Sequence, residues 1–365
     1  MKVFLKDSKQ DILLYFSLFL LFSNYMLFTA FDWGGEDSFS LLKNIIRIVA
    51  FFILCLYLGI VGRIKYSLFF SILSVLVLFN INGNEILLNI LFLLIIFSCL
   101  IRIKLDRLIF YIFIFYVFYF ILHNFLIFAG VLENSISSYD ARVRNSYGFS
   151  NVNRLGIFYF YFFMLNFYMI SRNKGDFYKK IIFYLFSLSS LVYIVLSNSR
   201  TSLYICVLIV VLWQLSKIDI FYKGQRLILN FIIIFCAGVS FYLASSKGAV
   251  FNEILSYRPS FFKQYVDILF SSNFNIIFGA SLSDELTVDN SYILFSGAVG
   301  LIISFLFYFC SPFFSYNKYI PRVYTIMIIA SLLCGVFESS LLRVEMLVPI
   351  FILFCLFFSK KENFY

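Results

Sequence analysis

Three polar stretches interrupt an otherwise apolar chain, and each carries arginine. Ser197-Asn198-Ser199-Arg200-Thr201-Ser202 lies between the apolar runs 181–196 and 203–215. A guanidinium costs about 2.5–3.5 kcal/mol at the centre of a membrane helix on insertion scales, so one placed at a bilayer mouth asks for a task. The segment from Glu133 to Arg154, rich in Ser, Asn and Tyr, holds Arg142, Arg144 and Arg154. The third, 245–288, is the longest connection; it holds Arg258 and leads into Asp289-Asn290-Ser291-Tyr292. Guanidinium groups are forked donors whose geometry matches phosphate oxygens, so arginines converging on one cavity would suit an anion, a diphosphate best of all. Arg142 and Arg144 stand two apart and project to the same side of an extended segment. A shielded charge pair at about 4 Å is worth on the order of 4 kcal/mol at an effective dielectric near 20, enough to retain a lipid headgroup. Taken singly, each arginine can equally be a side chain that snorkels to lipid phosphate. Tyr257, Phe261, Phe262 and Tyr265 would suit sugar stacking or plain packing.

The elements that must hold these residues follow from composition. The chain has 365 residues, of which 62% are hydrophobic, 22% aromatic and 13% charged, and its mean hydropathy is +0.94. That leaves too little polar surface to cover a soluble globule, so the class is an all-α polytopic membrane protein. The net charge of +10 sits in short loops between apolar runs, which is a topology signal; no basic tract could follow a nucleic-acid backbone. The 7 cysteines are scattered through apolar runs and there is 1 histidine, a pattern that offers neither a disulfide framework nor a metal cluster.

About twelve apolar runs approach the length that crosses a hydrocarbon core as a helix. They cover roughly 11–31, 45–62, 66–81, 86–101, 108–131, 155–171, 181–197, 202–216, 227–244, 289–310, 323–339 and 346–359. The first has a basic start and no small-residue cleavage site, and reads as a retained helix. Most Lys and Arg then fall on one side, which places both termini in the cytoplasm and makes 1–365 a single integral membrane domain. The segments at about 132–154, 197–202 and 245–288 face the other side.

The order of these segments resembles the O-antigen ligase and Wzy-type polysaccharide polymerase superfamily. Gly148-Phe149-Ser150-Asn151-Val152-Asn153-Arg154-Leu155-Gly156 is similar to a glycine-aromatic, Asn-x-Asn segment that enters a helix. Ser199-Arg200 resembles the family's Ser-Arg helix entry. Tyr257-Arg258, Phe278-Gly279-Ala280-Ser281 and Asp289-Asn290-Ser291-Tyr292, with Gly297 and Gly300, resemble the large outer loop that closes in a His-Asn-x-Tyr motif. Here Asp289 replaces that histidine, and the chain's own histidine, His123, is in the fifth apolar run. The replacement favours the polymerase branch over the ligases.

The resemblance implies a GT-C-like bundle with its large loop between spans nine and ten. It also implies a glycosyltransferase of the bacterial cytoplasmic membrane that needs no metal or other cofactor. Donor and acceptor would be undecaprenyl-diphosphate-linked oligosaccharides, with membrane lipids, a chain-length regulator and a flippase as partners. Arg200, Arg258 and Asp289 would be catalytic, Asp289 as the base with Glu253 second to it. Arg142, Arg144, Asn151, Asn153, Arg154, Asn290 and Tyr292 would bind substrate. The alternatives are a ligase-type glycan transferase and a lipid-linked oligosaccharide flippase. Against the flippase stand the lack of repeated halves and the scarcity of midspan charge. His123 reads as an interhelical hydrogen bond, and Glu338 with Arg343 and Glu345 as an ion pair that fixes helix ends.

Overall fold

The computed structural model describes residues 11–33, 39–61, 72, 75–76, 85–101, 103–139, 142–173, 177–252, 255, 257–280, 288–315 and 320–358. The third expected span, 66–81, and Glu253 lie mainly or wholly outside the described residues. The chain is a helical bundle. Helix α1 (Asp11–Tyr25) continues through a π-helical turn (Met26–Ala30) and is followed by α2 (Ser40–Val61), α3 (Glu85–Leu100) and α4 (Leu105–Phe128). A two-stranded antiparallel hairpin, β1 (Ile136–Tyr139) and β2 (Arg142–Asn145), precedes α5 (Val152–Arg172), α6 (Phe177–Leu196), α7 (Arg200–Ser216) and α8 (Asp219–Leu243). The large connection is itself helical, with a 3-10 turn (Ser246–Phe251), α9 (Arg258–Phe270) and α10 (Asn273–Phe278). The chain then forms α11 (Ser291–Val299), α12 (Leu301–Ser315), α13 (Arg322–Phe337), two 3-10 turns (Ser339–Leu342 and Val344–Met346) and α14 (Val348–Phe357).

Five helices among the described residues are long and apolar enough to cross a membrane, each 20 to 25 residues. At 1.5 Å per residue they match a hydrocarbon core of about 30 Å. Helix α5 is as long, at 21 residues, but is less apolar; five further apolar helices among the described residues are shorter, at 10 to 17 residues. The tenth expected span divides at Gly300, whose φ of 89° lies outside the helical region. The Ile277 carbonyl occupies the place a Cβ there would need, so an apolar run that reads as continuous is cut into α11 and α12. The last span yields only the 10 residues of α14, about 15 Å of helix.

Two helices form the inside of the bundle. Five consecutive α5 residues, Phe158 to Phe162, are 0% exposed, so that helix is enclosed on every side; α13 is buried along most of its length. Tyr116 of α4 stacks on Phe158 with ring centroids 5.1 Å apart, and Tyr193 of α6 stacks on Tyr159 at 4.4 Å. Offset ring pairs of this kind add to area burial. By contrast α2 and α6 turn many large apolar side chains outward, as lipid-facing helices do. All seven cysteines are free thiols.

His123 is buried in α4. Its Nε2 lies 2.7 Å from the Tyr147 carbonyl, which can only accept, so Nε2 carries hydrogen; in the neutral ring Nδ1 then accepts from the Tyr159 hydroxyl at 2.7 Å. The ring therefore joins α4 to α5 and to the turn after the hairpin, the interhelical role expected of it. His123→Ala strands both partners in the core and is expected to lower stability by about 2–4 kcal/mol, the scale of two unsatisfied buried groups. Thermal unfolding of the purified protein in detergent reads this directly.

Candidate functional site

One polar cavity of about 460 Å³ opens at the end of the bundle where α5, α7, α9 and α11 begin. Its lining includes Arg144, Asn151, Asn153, Arg200, Arg258, Asp289 and Glu338, with Phe261, Phe262 and Tyr204 as aromatic wall. The three arginine-bearing segments therefore share a single chamber. Four helix N-termini also meet there, and each turns the positive end of its dipole toward the chamber. Asn151 and Asn290 cap α5 and α11. No side chain caps α7 among the described residues, so its terminal N–H groups remain for an anion; at α9 the Asn252 Oδ1 accepts from Ser260 N–H, the Leu255 carbonyl accepts from Arg258 N–H, and Pro259 has no N–H to offer.

The charged side chains form a chain of contacts. Arg144 Nη2 donates to Asn153 Oδ1 at 3.0 Å, and Asn153 Nδ2 donates to Asp289 Oδ2 at 3.1 Å. Asp289 stands 4.0 Å from Arg258 Nη2, and that same nitrogen donates to Glu338 Oε1 at 3.0 Å. The other Arg258 amine donates to the Phe337 carbonyl at 2.5 Å. Burial would drain charge from Arg258, but Glu338 and Asp289 outweigh it and hold the guanidinium above its ordinary value. Burial pushes the Glu338 carboxyl up to about 7; Arg258 opposes the rise and Asp289 adds to it. Arg200 differs from both other arginines. It is exposed in the mouth of the cavity, and its guanidinium has no hydrogen bond or ion pair among the described residues.

Several expected contributors are elsewhere. Arg154 is one residue beyond Asn153, about 100° further round α5, and donates instead to Ser150 and to the Thr29 carbonyl of the π-helical turn. Asn290 is buried; its amide donates to Ser240 Oγ at 3.0 Å and the Val336 carbonyl at 2.6 Å, while its oxygen caps α11. Tyr292 donates to the Leu332 carbonyl at 2.9 Å and faces a separate apolar chamber of about 320 Å³. These three hold the walls rather than line the cavity. The backbone of Arg142 pairs with Tyr139, and its side chain lies outside the described residues. The expected ion pair is also redistributed: Glu338 binds Arg258, Glu345 binds Arg47 at 2.7 Å, and Arg343 donates to Ser339.

Glu338 is the member of the site that sequence reasoning assigned elsewhere. Its signal was a carboxylate at the end of the apolar run 323–339. Tyr265 is buried and donates to the Ala280 carbonyl at 3.3 Å, so the aromatic wall is Phe261 and Phe262 of the four rings noted.

Gly156 sets the width of the chamber. A Cβ there would meet the Ser199 and Ser202 hydroxyls, so α5 touches the turn that carries Arg200. Asn153 is one turn earlier on the same helix. Gly156→Ala is expected to wedge these walls apart, cost about 1–3 kcal/mol of stability as overpacking does, and weaken ligand binding more than unfolding accounts for. Melting temperature and ligand affinity, measured on one preparation, separate the two effects.

Comparison of the chain with family models, with curated proteins and with solved structures finds no match. The cavity gathers three guanidiniums and two carboxylates in one chamber, a lining with the charge and forked donors that suit an anion.

Proposed function

We propose that the protein is a polymerase of surface polysaccharide that joins undecaprenyl-diphosphate-linked repeat units on the outer face of the bacterial cytoplasmic membrane. The observation that supports this reading is the gathering of Arg144, Arg200 and Arg258 around Asp289 in one cavity, although they come from three remote segments. In the proposed reaction an acceptor hydroxyl attacks the anomeric carbon of the donor glycan. The bond to the diphosphate oxygen breaks, and its electron pair stays on the leaving group. Guanidiniums that face that developing charge lower the barrier. The energy resides in the donor, so no nucleotide site is required. The reading includes about twelve spans in a GT-C-like arrangement with both termini cytoplasmic, and a flippase and chain-length regulator as neighbours.

Purified protein in detergent, supplied with undecaprenyl-diphosphate-linked repeats, is expected to form a ladder of longer glycans. Detergent abolishes the two sides of a membrane, so a flippase gives no product in this assay. Movement of labelled repeats across proteoliposomes without any ladder would replace the polymerase reading with transport.

A further inference from the structure

Arg258 is an awkward anion-binding residue as it stands, because its guanidinium is already engaged. One amine is given to the Phe337 carbonyl and the other to Glu338, with Asp289 at the edge of reach. Glu338 is just as unusual: it lines the polar cavity, yet its side chain is only 3% exposed. Arg258 holds its Oε1, whereas Oε2 is buried with no partner among the described residues. A buried carboxylate held by one contact is stable while that contact lasts and becomes a ready proton acceptor once it is lost.

Resting on the polymerase reading, we propose that Glu338 is the proton acceptor of the site and that, on taking the proton, it releases Arg258 to the departing diphosphate. The acceptor O–H proton passes to the Glu338 carboxylate, and the acceptor oxygen bonds to the anomeric carbon. The bond from that carbon to the diphosphate oxygen breaks with its electron pair on phosphate. The Arg258 guanidinium, no longer neutralised by Glu338, turns its charge to that oxygen. One carboxylate thus couples deprotonation of the nucleophile to stabilisation of the leaving group, so Arg258 strengthens its grip during the reaction rather than before it. Asp289 is a positioning residue in this scheme, because Asn153 and Arg258 hold it between them.

The groups around Glu338 are compatible with such an exchange. Arg258 from α9, Asp289 ahead of α11, Arg343 from the 3-10 segment, Cys334 of α13 and Tyr161 of α5 are the titratable or charged neighbours that face it. The two arginines favour the anion, and Asp289 with burial favours the acid. Their balance puts the carboxyl at about 7, where proton uptake and release are both accessible. Above that pH Glu338 is charged and keeps Arg258; below it Glu338 is neutral and lets the guanidinium go.

Binding of undecaprenyl diphosphate to the full-length protein in detergent tests the coupling without requiring turnover. From pH 6 to pH 8 the wild-type affinity is expected to fall about tenfold relative to the trend in Glu338→Gln, in which Arg258 is never held by a charge; one pK unit corresponds to that factor. A second readout needs no variant. Calorimetry at pH 8 in buffers of different ionisation enthalpy is expected to find uptake of about one proton per ligand bound. Equal pH trends in both proteins, or no proton uptake by the wild type, would falsify the coupling and leave the polymerase reading standing. Undecaprenyl diphosphate that binds at neither pH overturns both.

Discussion

Arg200→Ala is expected to reduce polymer formation by about 100-fold or more, the loss seen when one preorganised donor to a developing oxyanion is removed. Folding should be untouched. The side chain is exposed and unpaired among the described residues, and substitutions of that kind usually change stability by no more than about 0.5 kcal/mol. Arg200→Lys keeps the charge but loses the fork, and is expected to recover part of the rate. The glycan ladder and the melting temperature of the same preparation decide the matter. Activity that survives Arg200→Ala in a folded protein removes this residue from the chemistry.

Arg258→Ala should fail in a different way, losing activity and stability together. It strands Glu338 without its partner, and breaking a buried pair costs about 3–5 kcal/mol when the remaining group stays charged. The pH dependence has a definite sign. Glu338 has a folded-state value of about 7 against an ordinary glutamate near 4.3, so the folded state binds the extra proton and stability falls as pH rises between those values. Without Arg258 the folded value moves higher, and the decline continues further into the alkaline range. Thermal unfolding at pH 6 and pH 8 should therefore show a larger deficit for Arg258→Ala at pH 8. Adding Glu338→Gln should restore most of the stability at pH 8 and none of the polymer. A double variant as unstable as the single one would mean that Arg258 supports the fold through the Phe337 carbonyl instead.

Much of the site was legible because charge at the end of an apolar run is expensive and therefore conspicuous. Arg144, Arg200 and Arg258 could be named on that ground, and Asp289, Asn151 and Asn153 from the family resemblance; all six line the same chamber. What failed was rotational phase. Arg154 is adjacent to Asn153, yet a step of about 100° along α5 sends it to a different wall, and Asn290, the residue after Asp289, turns inward from extended backbone to cap α11. Partner choice was equally hidden. Glu338 is five positions from Arg343 in sequence but pairs with Arg258, 80 positions away. Of the fold, the long helices could be read from hydropathy, whereas the break at Gly300 could not. It depends on a carbonyl from Ile277, a contact that hydropathy does not encode.

The stretch from Ser339 to Met346, two short 3-10 turns, packs inside the bundle without a full α-helix. Ser291 Oγ bridges the Glu338 carbonyl and the Leu341 N–H, Tyr116 donates to the Met346 carbonyl, and Asn24 and Arg47 both reach Glu345. Side chains from four separate helices thus pin the backbone that bears Glu338. Its location is settled when the bundle assembles, and the entropy of ordering it is spent then rather than at each encounter with ligand. If the chain polymerises glycan as proposed, a scaffold so braced has little travel to offer, and the movement between successive additions would belong to the polymer, which must slide its new end clear of the pocket.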